Sequence, residues 1–384
     1  MKLLTLGGFF LFFSSNLYSQ AQLLATYTYP KHTDSEICAG FQMAENDYFW
    51  GGVVNSETEG SDALLLQTDE NGKERWAETF ARGQQEDLKA MTKLEDGGVA
   101  FVGTSQFDNE EEGRKEGSIW LMRLDKEKGV IVNKKWQVFE TLDEGMYLAN
   151  SPDGGFLIVG NIRSRGQGKS DIWLIKTDAQ GNQLWEKTFG GKEDDVATCV
   201  ASVKNGYLIS GYVTNDEKKK KYRVMMCSQD GFVRWDNTDK AENQSQANFV
   251  LGLKDGSCVV LGTEDVGKGN EDAIVLKFNA KGKQVWKQKY GGLRKDVFYT
   301  AVEEKDGFLL GGSTFSNRND WGWGDMWLMK IHKNGEKDWS NTYGEANMQE
   351  TIKAIAFTSN HEILLAGEQF KEGRHKKMII LKVK

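Results

Sequence analysis

Apolar residues in this chain come in runs of five to nine, separated by clusters of turn-forming residues. They follow no sustained 3.6-residue period, so an amphipathic helix is not indicated. Short apolar runs bounded by Gly, Asn and Asp are typical of β-strands. The pattern therefore predicts an all-β fold made of many short antiparallel strands.

The apolar runs share one repeated feature, which is a glycine at or near the end of each run. Examples are "FLIVG" and "YLISG". Seven such glycines recur at intervals of 50 to 57 residues. They are Gly52, Gly103, Gly160, Gly211, Gly262, Gly312 and Gly367. A repeat of about 50 residues with four short strands has the size of a propeller blade.

Two kinds of tight turn separate the predicted strands. Asp-Gly or Asn-Gly pairs precede most of the glycine-ended runs and favour hairpins. The second turn carries a glycine four residues before a tryptophan, as in Gly181 and Trp185. Glycine can take the positive φ that such a turn needs, and we expect the tryptophan to pack between blades. In the second repeat Gly129 and Trp136 are seven residues apart, which predicts a longer hairpin.

If the strand of the type "DVATCVASV" is innermost, the strands form a seven-bladed β-propeller with four antiparallel strands per blade. The last blade, in residues 350–384, is one strand short. Residues 23–30 supply the missing strand, because Thr28 and Tyr29 stand where the third blade has Thr188 and Phe189. Blade 7 would thus combine residues 23–30 with 350–384. The N-terminal strand would close the ring and remove an open sheet edge.

The N-terminus predicts export. Lys2 precedes an apolar run from Leu3 to Phe13 and then small polar residues, the order of a secretory signal peptide. We expect a signal peptide over 1–21, a single propeller domain over 22–384, and no membrane span in the mature chain. The destination would be the periplasm, the outer-membrane surface or the extracellular space.

Composition and charge restrict the chemistry. The net charge of −7 argues against a nucleic-acid partner, which needs a basic surface. The four cysteines are scattered without metal-ligand spacing, and we expect buried free thiols rather than disulfides. The four histidines show no zinc spacing, and no nucleophile elbow or phosphate loop is present.

Two segments resemble known repeat families. The hairpin "TDAQGNQLW" resembles the tryptophan-docking repeat of pyrroloquinoline-quinone-type propellers, and "GGKEDDVATCVASVKNGYLISG" is similar to bacterial secreted β-propeller repeats rich in "DGG" turns. The resemblance covers residues 23–384 and implies a fold that hosts many functions. Quinone dehydrogenases of this type usually have eight blades, an adjacent cysteine pair and a calcium–quinone site. This chain lacks the adjacent pair, so no quinone cofactor is expected. Outer-membrane assembly scaffolds share the docking repeat without a cofactor, which implies that a non-catalytic role is possible here.

The loop "SNRNDWGWGDMW", residues 316–327, departs most from the repeat. Trp321 and Trp323 precede the expected strand start, and an exposed aromatic pair suits stacking on a sugar ring or contact with a protein. The alternative is that both indoles fold back over the blade. The polar candidates beside them are Arg318, Asn319 and Asp320.

Carboxylates open most of the predicted innermost strands, where they would surround the mouth of the channel. They could bind a cation such as Ca²⁺ or attract a basic ligand. Alternatively, each accepts backbone N–H groups of the connecting turn. The acids are Asp34, Glu86, Asp143, Asp195, Asp296 and Glu350, and Ser245 takes their place in the fifth repeat. Apart from this calcium hypothesis, no cofactor is expected.

These patterns lead to three functional hypotheses. The chain is an exported non-catalytic propeller that binds a ligand or an envelope protein, as a monomer or as part of a complex. Alternatively, it is a glycan-binding lectin or carbohydrate-active enzyme that uses the 316–327 loop. Glycoside hydrolysis needs two carboxylates at a set distance in space, and spacing along the chain does not show such a pair. In the third hypothesis it is a structural component of an outer-membrane complex.

Overall fold

The structure is a computed structural model in which residues 21–56, 60–80, 85–109, 114–137, 141–163, 169–316, 323–371 and 375–384 are described. Within these ranges the regular secondary structure consists of 28 β-strands. The all-β prediction is therefore confirmed. No helix in the described ranges is long and apolar enough to cross a membrane.

The strands follow one another along the chain with short connections. The N-terminal strand is β1 (Leu23–Thr33). Next come β2 (Ser35–Ala44), β3 (Asp47–Ser56), β4 (Gly60–Thr68), β5 (Glu74–Phe80), β6 (Gln85–Lys93), β7 (Val99–Asn109), β8 (Arg114–Leu124) and β9 (Val130–Trp136). The middle of the chain holds β10 (Glu144–Asn150), β11 (Phe156–Ile162), β12 (Asp171–Thr177), β13 (Gln183–Phe189), β14 (Asp195–Val203), β15 (Gly206–Thr214), β16 (Lys220–Cys227) and β17 (Val233–Thr238). The remaining strands are β18 (Ser245–Gly252), β19 (Cys258–Gly267), β20 (Asn270–Phe278), β21 (Gln284–Tyr290), β22 (Asp296–Glu303), β23 (Gly307–Thr314), β24 (Asp325–His332), β25 (Lys337–Tyr343), β26 (Gln349–Phe357), β27 (Ile363–Phe370) and β28 (Lys377–Val383).

The strands pair in antiparallel groups of four. β10–β13, β14–β17, β18–β21 and β22–β25 each form one four-stranded sheet in sequence order. β2–β5 and β6–β9 have the same arrangement, and a single parallel bridge between Ser61 and Gln85 joins them into an eight-stranded sheet. These four-stranded antiparallel groups are consistent with propeller blades. We call β2, β6, β10, β14, β18, β22 and β26 the first strands.

The two ends of the chain meet in one sheet. β1 pairs with β28 in the order β1-β28-β27-β26, and Tyr27 lies opposite Ile380. Beyond the strand, Gln22 and Lys384 exchange two backbone hydrogen bonds of 2.7 and 3.0 Å. This is the pairing that the sequence predicts from Thr28 and Tyr29.

Every first strand contains a β-bulge at an equivalent position. In β14 the pairing with β15 passes from Ala197 to Cys199 and omits Thr198. Ala197 lies opposite Gly211, one of the repeated glycines. A Cβ atom on Gly211 would lie 1.8 Å from the carbonyl oxygen of Val196, where no side-chain atom fits. The glycine therefore recurs because the bulged backbone occupies the space of its side chain.

The other six repeats show the same close approach. In each of them, a Cβ atom on the repeated glycine would lie 1.6 to 2.5 Å from a carbonyl oxygen of the first strand. The glycines are Gly52, Gly103, Gly160, Gly262, Gly312 and Gly367.

The buried core is divided among the junctions between successive sheets. One cluster packs Trp173 and Ile175 of β12 together with Val102 of β7. Another joins the last sheet to the first, because Ala354 and Leu364 pack with Trp50 of β3. The first strands also contact one another in chain order, and β26 contacts β2. Apolar burial of this kind is the main stabilising term at each junction.

The tryptophans of the repeat pack between sheets, as the sequence predicts. The aromatic ring of Trp235 covers Gly282 in the next hairpin turn, so that a Cβ on this glycine would lie 2.5 Å from the ring. The Trp235 indole N–H donates to the carbonyl of Ala280, at 3.3 Å. Trp286 repeats the bond with the carbonyl of Lys333, at 3.1 Å. The glycine–tryptophan motif is therefore a packing contact between one sheet and the next.

The hairpin of the second repeat has the same length as the others, so the prediction of a longer one is wrong. Asp125 closes the turn with Gly129 as Asp178 does with Asn182. Lys128 occupies the left-handed position at φ 69°, where the other turns have glycine. Val132 lies opposite Arg123 as Trp185 lies opposite Lys176, so Val132 takes the place of the repeat tryptophan and Trp136 stands where the third repeat has Phe189. The spacing from Gly129 to Trp136 therefore does not measure the hairpin.

Candidate functional site

The bulges direct one side chain from every first strand towards a common space. A bulge leaves one residue outside the ladder and re-aims its side chain. Because the bulges are equivalent, the seven displaced residues form a ring, which we call the bulge ring. In chain order it consists of Cys38, Lys89, Met146, Thr198, Asn248, Tyr299 and Lys353.

All seven bulge-ring residues line one cavity of about 340 Å³. Glu36, Ile37, Tyr147 and Phe249 complete its wall. This volume lies at the lower end of the range found for small-molecule sites, about 300 to 1,000 Å³. The cavity is therefore large enough for a compact organic ligand.

Lysines dominate one side of the cavity. The ammonium group of Lys89 lies 2.9 Å from Asp87 Oδ2. The ammonium group of Lys353 lies 3.9 Å from the centroid of the Tyr299 ring, a cation–π contact. Its nearest carboxylate is that of Glu368, at 4.0 Å. Lys353 is thus more weakly paired than Lys89.

A second set of charges ties this side of the cavity to the chain ends. The ammonium group of Lys376 bonds to Glu36 and lies 3.3 Å from Glu368 Oε2. Burial acts to raise the pKa of Glu36, but the Lys376 ammonium outweighs it and holds that pKa below its usual range. Burial, together with the nearby Glu36, raises the pKa of Glu368. Protonation of Glu368 therefore competes with its pairing to Lys353.

Cys38 lies between Lys353 and Lys89 in the bulge ring. Burial and the neighbouring Glu36 carboxylate raise its pKa to about 12. The two lysines act in the opposite direction but do not compensate. Because the thiolate is the nucleophilic form, this cysteine is not activated for covalent chemistry. All four cysteines are free thiols, as expected.

The opposite side of the cavity is neutral and aromatic. The rings of Tyr147 and Phe249 meet edge to face with centroids 6.3 Å apart. Burial raises the pKa of the Tyr147 hydroxyl well above its usual range. The Nδ2 atom of Asn248 is buried and has no hydrogen-bond partner among the described residues. A buried donor without an acceptor is costly, so this atom marks a place for a ligand or solvent oxygen.

The predicted channel-mouth acids lie at the starts of the first strands and are largely buried. Asp195 Oδ2 accepts the backbone N–H of Gly191 at 2.6 Å, and Asp296 Oδ2 accepts that of Gly292 at 2.9 Å. Glu350 Oε1 likewise accepts the backbone N–H of Glu345 at 3.0 Å. These bonds are the ones expected if the carboxylates organise the connections between sheets.

The remaining acids also have local partners. Glu86 accepts from the Ser105 hydroxyl at 2.9 Å, and Asp143 accepts from the backbone N–H of Arg163 at 3.2 Å. Asp34 accepts from the backbone N–H of Lys376 at 3.1 Å.

The strand register places Asp34 one residue away from the other acids. Ser35 pairs with Val54, two residues after Gly52, just as Asp195 pairs with Val213, two residues after Gly211. Ser35 is therefore the true equivalent, and a shift of one residue changes the face of the strand. No group of three or more His, Cys, Asp or Glu side chains in the described ranges could hold a metal ion. A calcium site at these acids stays a prediction.

The 316–327 loop is described only in part. Arg318, Asn319, Asp320 and Trp321 lie outside the described residues. Trp323 is half-buried and lies two residues before the start of β24. The predicted pairing of the two indoles on an exposed surface therefore stays a prediction.

Sequence reasoning missed the bulge ring. Its members share no residue type, because their side chains face open space and only the partner strand is constrained. A positional signal does exist, since each member precedes its repeated glycine by 13 or 14 residues. Thr198 and Gly211 are 13 apart, for instance, and Lys89 and Gly103 are 14 apart.

Comparison with known proteins agrees with this architecture but does not identify a family. No protein-family model matches the sequence, and no curated protein matches it. Among solved structures, a Dyadobacter fermentans protein of unknown function is similar, with a TM-score of 0.58 and 11% identity over 95% of this chain and 99% of that one. Sqt1 from Chaetomium thermophilum has a TM-score of 0.50 and 9% identity over 95% and 98% of the two chains. The β-propeller domain of the Trilobed protease from Pyrococcus furiosus has a TM-score of 0.39 and 12% identity over 78% and 94%. The first two similarities show the fold alone.

Proposed function

We propose that this chain is an exported, seven-bladed β-propeller that serves as a non-catalytic binding scaffold at the bacterial cell envelope or outside it. In this proposal the N-terminus before Ala21 is a signal peptide, and the repeats belong with the tryptophan-docking and "DGG"-turn propeller families. The scaffold needs no cofactor. Its partner is an envelope protein or a glycan, and it acts as a monomer or within a complex.

The cyclic contacts support a ring of seven blades. Each first strand contacts the next one, and β26 contacts β2. One contact type also recurs around the structure. Tyr290 donates its hydroxyl to the carbonyl of Gly335 in the next hairpin, and Tyr29 of β1 does so to Gly72 at 3.0 Å. Tyr343 donates to the carbonyl of Ala21 at 2.7 Å, so the chain ends take the place of a hairpin turn.

This repeated docking carries the scaffold proposal. Buried apolar clusters and aromatic-to-carbonyl bonds at successive junctions make a rigid body. Irregular loops on a rigid body are where binding residues concentrate. The segment between β23 and β24 departs most from the repeat and carries Trp321 and Trp323.

The partner class can be decided with a double variant. We expect Trp321→Ala with Trp323→Ala to abolish capture of an envelope protein in a pull-down from the native host. Leu184→Ala with Val285→Ala is the matched control, since these side chains are apolar and 56% and 59% exposed on other strands. Capture that is equal in both variants would refute the role of the 316–327 loop.

The same variants separate the glycan alternative. Binding on a glycan array that the tryptophan variant loses and the control retains would support a lectin instead of a protein-binding scaffold. Release of sugar from a polysaccharide by the wild-type chain would establish an enzyme. Either result would replace the scaffold proposal.

Ring closure has its own test. Deletion of residues 22–30 removes most of β1, and with it the Tyr29 bond and the pairing to β28. We expect a much lower melting temperature and faster proteolysis of β26–β28. An unchanged melting temperature would show that the ring does not depend on the N-terminal strand.

A further inference from the structure

The bulge ring is chemically asymmetric. Lys353, Cys38 and Lys89 are consecutive around the ring, because β26, β2 and β6 are neighbours. The other four positions carry neutral side chains, and none of the seven is a carboxylate. One side of the cavity therefore offers two cations, and the other offers none.

Asp87 pairs with Lys89 itself, but the two carboxylates nearest to Lys353 and Cys38, those of Glu36 and Glu368, are engaged with Lys376. Glu36 lines the cavity but bonds to Lys376. Glu368 is shared between Lys376 and Lys353, and it lies nearer to Lys376, at 3.3 against 4.0 Å. The Lys353 ammonium has three donor hydrogens, and among the described residues its one carboxylate contact is this long one to Glu368, so it retains the capacity to bind a second anion.

Aromatic rings line the rest of the cavity. Tyr299 presents its face beneath Lys353, and Tyr147 and Phe249 form an edge-to-face pair on the neutral side. Flat apolar groups pack well against such rings in offset or edge-to-face arrangements. The neutral side thus suits the body of a planar ligand.

Asn248 supplies an independent observation. Its Nδ2 atom is buried and unpartnered, whereas its Oδ1 atom accepts from Gln246 Nε2 at 3.3 Å. The unsatisfied atom is a donor, so its missing partner is an acceptor. Cations and an unused amide donor in one cavity select for an oxygen-bearing anion.

We propose that the cavity enclosed by the bulge ring binds a small aromatic carboxylate, with its carboxylate near Lys353 and Lys89 and its ring against Tyr147, Phe249 and Tyr299. An oxygen acceptor on the ligand meets Asn248. A volume of about 340 Å³ limits the ligand to a compact molecule. No lining residue of this site belongs to the 316–327 loop, and the site does not depend on the proposed scaffold function.

Benzoate is the probe for this site. We expect benzoate to raise the melting temperature in a saturable manner, with half-saturation below about 10 mM, and to slow the modification of Cys38 by N-ethylmaleimide. Benzamidine has the same ring with a cationic group and should give neither effect. Inorganic phosphate has charge without a ring and should bind more weakly than benzoate.

Two variants locate the binding. Lys353→Gln should weaken benzoate binding about tenfold, because it removes a charge-assisted hydrogen bond. Asn248→Ala should change the preference among hydroxylated benzoates. Lys330→Gln is the matched control, because Lys330 is also half-buried and paired, with Glu304 at 2.9 Å, but lies outside the cavity. It should leave binding unchanged.

Each contrary result overturns a stated part of the proposal. Stabilisation by benzamidine in place of benzoate would make this a cation site. Phosphate binding as tight as benzoate binding would remove the role of the aromatic wall. Absence of benzoate binding, or binding that Lys353→Gln and Lys330→Gln reduce equally, would refute the site. Trp321→Ala with Trp323→Ala should leave benzoate binding intact, so failure here and failure of the scaffold proposal are separable.

Discussion

Substitution of Gly211 by alanine tests the physical reason for the repeat. The new Cβ atom would lie 1.8 Å from the Val196 carbonyl oxygen and 3.0 Å from the Ala197 Cα atom. Non-bonded carbon and oxygen atoms need about 3 Å or more, so the two strands must separate by roughly 1 Å or the bulge must straighten. The contacting atoms belong to the backbone, and no side-chain rotation can relieve them.

The expected cost follows from this geometry. Overpacking that side chains can absorb costs about 1 to 3 kcal/mol. Here the backbone of two buried strands has to move, so we expect Gly211→Ala to lower the free energy of unfolding by ~3 to 5 kcal/mol. Straightening the bulge would also turn Thr198 away from the cavity.

Gly191→Ala is the matched control. Its Cβ would meet only Asp195 Oδ2, at 3.6 Å, which is an ordinary contact. We expect no loss of stability and a gain of up to about 1 kcal/mol, because alanine restricts the unfolded chain. Urea unfolding followed by tryptophan fluorescence measures both variants. Equal stability of Gly211→Ala and Gly191→Ala would refute the account of the repeated glycine.

Four further outcomes follow from individual contacts. Tyr29→Phe leaves the Gly72 carbonyl without its buried donor, so the free energy of unfolding in urea should fall by about 1 to 3 kcal/mol. An unchanged free energy of unfolding would show that water replaces the bond. Burial raises the pKa of each of the four cysteines to about 12. Iodoacetamide at pH 8 should therefore modify the folded chain about a thousandfold more slowly than free cysteine. One rapidly modified thiol would contradict this. Burial and the nearby Asp296 raise the pKa of Asp272, so its ionisation costs stability in the pH window above the usual aspartate pKa, and the cost disappears as the pH falls through that window. Asp272→Asn should therefore stabilise the protein at pH 8 by up to about 1 kcal/mol and by less at pH 4, and an equal effect at both pH values would contradict it. Ala21 is buried and its carbonyl accepts from Asn341 and Tyr343, so an exported chain should retain Ala21, and cleavage should precede this residue instead of following it as a signal peptide over 1–21 requires. Mass spectrometry of the mature N-terminus checks this.

Local constraints explain which parts of the fold could be predicted from the sequence. Gly181 takes a left-handed turn and Trp185 lies four residues later on a fixed face, and this pair recurs in most of the equivalent hairpins, although Lys128 and Val132 replace it in the second repeat. The spacing of Gly211 and its equivalents reflects a steric requirement of the backbone, which leaves the same trace in each repeat. The all-β architecture follows from these repeated features, and the pairing of β1 with β28 follows from the match of Thr28 and Tyr29 to Thr188 and Phe189.

The cavity could not be predicted, because its residues obey no common rule. Thr198 and Tyr299 occupy equivalent places yet differ in size and polarity, since neither side chain has to fit into a packed core. The alignment of the channel-mouth acids could not be predicted for a different reason. Asp34 and Ser35 are adjacent, and only the ladder decides which of them aligns with Asp195. A slip of one residue is invisible in a pattern but reverses the face of a strand.

At each bulge, the residue under steric constraint and the residue that faces the cavity lie on different strands. The close backbone approach at each bulge falls on a glycine of the second strand, such as Gly211, while the bulge-ring residues line the cavity. Substitution at one bulge-ring position therefore leaves the architecture and the six other positions intact. The residues that line the cavity can thus be substituted one strand at a time. Relatives with the same glycine spacing could therefore bind unrelated small molecules on the same backbone.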